Sequence, residues 1–222
     1  MWVARTISWS SIALVLASPA ASAILASTFG PGDTFLNGPP YIIGNAIFQA
    51  EIAAPFTPGT TANLEAIRVA VSFTSGIDDF TVYIAPDIGG APGPPLESFT
   101  GLRFHTNPGI LTLSSLSHPL LRAGSPYLVV VTAPDLINSQ GGWHVNNQGF
   151  NGLLARNFFG NFAWVQDTAP TPAFDVRGTL VPEPSTFLFT FGGLLIGAAG
   201  RQRYFKRNRA RAAMLRKCKL TV

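Results

Sequence analysis

Cysteine is almost missing from this chain: Cys218 is the one among 222 residues, and it stands four residues from the C-terminus. Any fold upstream of it can form no disulfide and no thiolate metal site, so its stability has to come from burial. Lysine is missing from residues 24–180, which hold five arginines against ten acids, a net charge near −5. The whole-chain charge of +4 and pI of 9.6 arise elsewhere, since nine of the 15 Lys and Arg lie between Arg201 and Lys219. Nucleic-acid binding needs clustered cations facing phosphate, and five scattered arginines exclude it.

Other absences narrow the chemistry. Residues 24–180 contain no stretch of ten or more with the i, i+3, i+4, i+7 pattern of an amphipathic helix, and no repeat at propeller-blade length. Without a Gly-x-Ser-x-Gly elbow or an available cysteine, nucleophilic hydrolysis has no support. His105, His118 and His144 lie far apart with no paired-ligand spacing, so they do not suggest zinc. The adjacent Asp78 and Asp79 sit between Gly76 and Phe80, where turn chemistry explains them. From within a strand they would face opposite ways and could not serve one glycoside together. Calcium is the better use of exposed carboxylates, with Asp33, Asp78, Asp79 and Asp87 as candidates, although no Asp-x-Asp-x-Asp-Gly loop is present. No other cofactor is expected.

The two ends of the chain read as addresses. Arg5, the apolar Ile12–Ala17 and the small-residue site Ala21-Ser22-Ala23 form a secretory signal peptide over residues 1–23, so the mature chain is expected to start at Ile24. A retained N-terminal anchor is the competing reading, but the apolar run is short and is broken by Ser10, Ser11 and Pro19. At the other end, Pro182 and Pro184 cannot continue a strand or helix, because each fixes φ and lacks a backbone donor. Thr186–Ala199 then carries no charge, and in a bilayer such a single span must be helical. Arg201, Arg203, Lys206 and Arg207 follow as the flank that stays cytoplasmic. The span is shorter than the usual ~20 residues, which a thinned bilayer and snorkelling arginines accommodate. A buried C-terminal helix is the alternative. Residues 208–222 remain as a basic cytoplasmic tail.

Between these ends, residues 24–180 have the length of one domain. Its clearest signal runs over Leu64–Phe73, where Ile67, Val69, Val71 and Phe73 alternate with Arg68, Ala70 and Ser72. That period of two predicts a strand with one buried and one wetter face. Phe80, Val82 and Ile84 alternate in the next strand, and the two together suggest neighbours in a meander. Tyr41–Glu51 reads as an earlier strand, interrupted at Gly44-Asn45 by a bulge or a tight hairpin. Shorter strands are expected at 96–104, 109–116, 126–132, 142–147, 152–159, 162–167 and 173–180, divided by Gly, Pro and Asn turns. The sum is an all-β protein, an antiparallel β-sandwich of jelly-roll type.

The order Pro182-Glu183-Pro184, apolar Phe187–Gly200 and arginine cluster resembles the PEP-CTERM sorting signal of Gram-negative bacteria. The resemblance implies recognition of the Pro-Glu-Pro motif by an exosortase, a membrane-embedded, cysteine-protease-like transpeptidase. It also implies export through the Sec pathway and an inner-membrane intermediate, followed by release or re-anchoring at the cell surface. One departure is that the family usually ends soon after the arginines, whereas this chain continues from Asn208 to Val222. Residues 26–178 resemble the choice-of-anchor domains, R type, through Thr28-Phe-Gly-Pro-Gly-Asp, Gly89-Gly-Ala-Pro-Gly with Leu96-Glu97-Ser98, Gly142-Trp143-His144 and Gly149–Gly152. That family has no known biochemical activity, so the resemblance bears on address more than on chemistry.

One stretch is rich in rings and amides together: Trp143, His144, Asn146, Asn147 and Gln148, with Asn157, Asn161 and Trp164. Rings stack on the apolar faces of sugars while amides bond hydroxyls, so these residues are candidates for contact with exopolysaccharide. The competing reading places the aromatic residues, Trp143 first, in the core. The expected function is that of a non-catalytic surface or matrix protein, not an enzyme. The alternative is a secreted, glycoside-directed hydrolase of unrecognised type.

Overall fold

The computed structural model describes residues 22–159 and 163–181. Within them the chain is all-β, with fourteen strands in two antiparallel sheets that form a sandwich. Among the described residues no helix is long and apolar enough to cross a membrane. Residues 1–21, Asn161, the Pro182–Pro184 motif, the apolar segment, its arginine flank and the tail lie outside the described residues.

The strand expected from the cleanest alternation is the spine of the first sheet. It is β4 (Ala62–Gly76), which pairs along residues 62–69 with β14 (Phe174–Leu180) and along 71–76 with β11 (Ser139–Trp143). β1 (Ser22–Ser27) lies outside β14, and β2 (Tyr41–Gly44) lies outside β11. β8 (Gly109–Ser114) and β9 (Leu120–Leu121) also pair with β4. The second sheet runs β13 (Val165–Pro170), β12 (Asn151–Asn157), β3 (Glu51–Phe56), β10 (Tyr127–Thr132), β5 (Phe80–Ile88) and β6 (Ala91–Pro92), with β7 (Glu97–Leu102) also on β5.

The core lies between the sheets. Leu64, Ile67, Val69, Val71, Trp143 and Phe174 from the first sheet meet Ile52, Phe80, Val82, Ile84, Val129 and Leu154 from the second. Each such side chain contributes about 1.5–3 kcal/mol by leaving water, which suits a domain without disulfides. Leu64 and Ile67 both face inward although three residues apart, because the pairing with β14 shifts at Arg177/Gly178 and absorbs one residue as a bulge.

Three expectations change. β4 and β5 are not neighbours in a meander but lie in opposite sheets, because the partners of β4 come from far along the chain and the chain crosses over after Gly76. The Gly44-Asn45 interruption is likewise a crossing: Gly44 takes φ 73°, exchanges both backbone bonds with Ala50 at 2.8 and 3.0 Å, and so closes the loop between β2 and β3 in different sheets. The outer face of β4 is not wet along its middle. Ala70 is buried under Phe29, Phe35 and Ala173, and Ser72 under His144, because the turn-rich opening segment folds back over the sheet. Strand limits also move: β11 ends at Trp143, where residues 142–147 were expected as strand, and β1 begins at Ser22, so cleavage after Ala23 would leave Ile24–Ser27 of that strand.

Candidate functional site

The ring-and-amide stretch begins where β11 ends, and strand alternation divides it at once. Trp143 points into the sandwich, where it is 0% exposed, meets Phe174 edge-on at 6.1 Å and donates its indole N–H to the Ala173 carbonyl at 3.0 Å. It cannot serve as a sugar platform. The reason is the strand's period of two: one face of β11 belongs to the core, and the largest side chain of the strand fills it.

His144 points to the other face and is also buried, with Nε2 2.9 Å from Ser72 Oγ and Phe35 at 5.6 Å between ring centres. Burial pushes its imidazole below the ordinary pKa, because the charged form would be desolvated. A serine beside a histidine invites a nucleophilic reading. Here the Nδ1 side is buried with no hydrogen-bond partner, so no carboxylate orients the ring, and Ser72 is itself only 7% exposed. The pair is packed like core.

Asn146 is a clasp. Its Oδ1 accepts from the Gln148 and Phe150 amides at 3.0 and 2.9 Å, and its Nδ2 donates to the Phe150 and Thr171 carbonyls at 2.8 and 2.7 Å. Having all its bonding capacity used while 4% exposed, Asn146 shapes the loop rather than binding a ligand. Asn147 and Gln148 are exposed. Asn147 Nδ2 donates to Thr34 Oγ1 at 2.9 Å, and Gln148 Nε2 donates to Asn147 Oδ1 at 3.2 Å. These side-chain ends close over Gly30, where a Cβ would lie 2.3 Å from Asn147 Oδ1 and would push them aside. Trp164 is half-buried elsewhere, against Ala53, Leu128, Val130 and Ala155 on the outer face of the second sheet. The six proposed contact residues therefore do not converge.

An open cleft of about 330 Å³ does lie beside this loop, lined by Leu36, Val145, Asn146, Asn147, Gly149, Asn151 and Pro170. Its lining is mostly apolar with three asparagines among it, and no charged side chain lines it, which suits a neutral hydroxyl-bearing ligand of modest size. Leu36 is placed there by its N–H donating to the Val145 carbonyl at 3.0 Å. Leu36, Asn151 and Pro170 carry no sequence motif; they meet only through the fold.

The calcium candidates also separate. Both carboxylate oxygens of Asp33 accept from Arg68 at 2.7 Å, Asp78 Oδ1 accepts from the Phe104 amide at 2.8 Å, and Asp87 Oδ1 accepts from the Gly90 amide at 2.6 Å. Asp79 Oδ1 is buried without a hydrogen-bond partner. Among the described residues no three of His, Cys, Asp or Glu gather to hold a metal ion.

Sequence reasoning missed the main charge cluster. Arg68 binds Asp33 and also Asp175, whose side chain is 0% exposed and which takes Arg177 at 3.3 Å as well. The two carboxylates hold Arg68 above its already high pKa, with the Asp33 bonds foremost, and Arg68 holds Asp33 below the usual carboxylate range. Arg68 also covers the Phe29 ring at 5.3 Å. Its place on the wetter face of an alternating strand was the available signal, but the partner 107 residues away was not.

A protein-family model for the PEP-CTERM protein-sorting motif matches residues 180–203, from the last residue of β14 through Arg201 and Arg203. The match supports export, a membrane-anchored intermediate and processing by exosortase. No curated protein and no solved structure matches the chain. The choice-of-anchor resemblance of residues 26–178 thus rests on its turn motifs alone.

Proposed function

We propose that this chain is a non-catalytic surface protein of a Gram-negative bacterium, exported by the Sec pathway, cut near Pro182-Glu183-Pro184, and in contact with extracellular polysaccharide through the uncharged cleft beside Asn147 and Asn151. The match of the sorting motif from residue 180 carries the reading. β14 is paired with β4 up to Leu180, and with the Ile24–Ser27 part of β1 that remains after signal cleavage up to Arg177, so the chain before Leu180 is not free to lie extended in another protein's cleft. Processing near Pro182-Glu183-Pro184 then falls beyond the last residue of β14, Leu180.

A non-catalytic role is supported by how the acids are used. Glu51 accepts from Thr132 and Asn157, Glu97 from Ser115, Leu116 and Ser117, Asp135 from Ile137 and Asn138, and Asp167 faces Arg156. A general acid and base pair needs carboxyls poised toward a substrate, and these are committed to loops and strands. The polysaccharide contact is supported by the cleft's uncharged lining of apolar side chains and asparagines.

Two measurements test this. In a host with an exosortase, Glu183→Ala should leave an uncut, membrane-bound precursor, while the wild-type protein gives a new C-terminus near residue 184 by mass spectrometry. Unchanged processing of the variant would reduce the motif to a linker. Asn147→Ala with Asn151→Ala should lower retention on the producer's exopolysaccharide without shifting the urea midpoint. If the wild type shows no retention, the polysaccharide contact is wrong and a structural surface role remains.

A further inference from the structure

The strands give the folded unit two distinct poles. Leu180 and Leu121 both pair with Ala62 at the start of β4, and Ser22 pairs with Thr179, so both ends of the domain leave from this pole. Gly76 at the far end of β4 pairs with Ser139, which puts the loops carrying Ile77 and Ile137 at the other pole. The 15 residues of β4 separate the two by roughly 45 Å of strand contour, at about 3.3 Å per residue.

At the first pole stands Leu116, 89% exposed, on a loop built to hold it out. Glu97 Oε1 accepts from the Leu116 and Ser117 amides at 2.6 and 3.1 Å, and Glu97 Oε2 accepts from Ser115 Oγ. His118 takes φ 48°, and its ring Nδ1 lies 2.9 Å from the Leu64 carbonyl. These bonds fix the loop beside the buried Ser115 and hold Leu116 itself out in solvent. Leu120 beside it is 41% exposed, Leu180 is 39% exposed, and Arg122 supplies an exposed cation.

We infer that this pole is a membrane-facing surface, with Leu116 and Leu120 entering the interfacial region of the bilayer and Arg122 meeting anionic headgroups while the chain is still anchored. This rests on the membrane-anchored intermediate of the proposed function. The occupant is chosen by chain length. Residues 181–186 alone separate β14 from the apolar segment, and six residues span at most roughly 20 Å when fully extended. The expected signal peptide, before β1, departs from the same pole. Apolar side chains seated about 5–10 Å into the interface, with cations at headgroup level, are the usual means of such contact.

The test uses the full chain with Cys218→Ser, carrying either Leu116→Cys or, at the far pole, Ile137→Cys, each labelled with a polarity-sensitive fluorophore. The chains are reconstituted into vesicles of phosphatidylethanolamine and phosphatidylglycerol, some containing a headgroup-linked nitroxide quencher. The label at 116 should shift to the blue and lose fluorescence to the quencher, while the label at 137 should do neither. Equal responses at the two positions, or the reverse order, overturn the inference and leave the membrane anchor standing. A chain that fails to float with the vesicles removes the anchored intermediate, and the inference goes with it.

Discussion

Trp143→Ala is the most decisive substitution, because it separates a ring that binds from a ring that packs. Trp143 is 0% exposed, contacts Phe174 edge-on and donates one hydrogen bond to Ala173. Truncation removes the transfer energy of the indole and leaves a cavity that close-packed neighbours fill only in part, for a loss of about 3–5 kcal/mol. The lost hydrogen bond adds little, since the Ala173 carbonyl also accepts from the Ala70 amide at 3.0 Å and is not orphaned. Against a total stability of about 5–15 kcal/mol this is a large share. With a urea dependence near 2 kcal/mol per molar, the midpoint should fall by about 2 M. Trp143→Phe keeps most of the burial and should fall between the variant and the wild type. The assay is a urea melt of the exported domain followed by tryptophan-independent circular dichroism. A Trp143→Ala midpoint within about 0.3 M of wild type would place the ring outside the core and refute the packing argument.

Other predictions follow the buried polar groups. His144 is held below its ordinary pKa by burial, so above about pH 7 both folded and unfolded states are neutral there and no stability difference arises. As pH falls below about 6.5 the unfolded chain takes up the proton first, and stability should decline from there as the pH is lowered further. His144→Gln should flatten that decline in urea melts, and an unchanged slope would assign it to another group. The carboxylates held below their usual range, Asp33, Glu65, Glu97 and Asp135, lose their contribution only at more acid pH. Arg68→Met leaves the fully buried Asp175 with the half-exposed Arg177 alone, and should cost about 3 kcal/mol by thermal or urea unfolding. A loss under about 1 kcal/mol would mean that Arg177 replaces it.

Much of the architecture was open to reading because β-strands advertise themselves by period. Ile67, Val69 and Val71 alternate with Arg68, Ala70 and Ser72, and the strand is there. The Trp143 alternative was decided by the same rule applied one step later. Alternation says that Trp143 and His144 face opposite ways, but not which way is inward, and both sides turned out to be covered. The site was harder to read than the fold. Aromatic residues and amides close in sequence looked like one surface, yet Trp143, Asn146 and Trp164 went to the core, a loop clasp and the opposite sheet.

The amino-acid sequence by itself determined the class and the address. Period-two strands without amphipathic helices impose an antiparallel sandwich, the missing cysteine leaves burial as its support, and Pro-Glu-Pro before an uncharged segment and arginines carries the sorting signal. These are local properties, written in adjacent residues. Only the tertiary structure decided who pairs with whom: that β4 is flanked by strands beginning at residues 109, 139 and 174, that Arg68 finds Asp175, and that Leu36, Asn151 and Pro170 frame one cleft. Such pairings are chosen by the shared burial of faces distant along the chain. A strand's alternation specifies a buried face, but its partner is whichever other face completes the core.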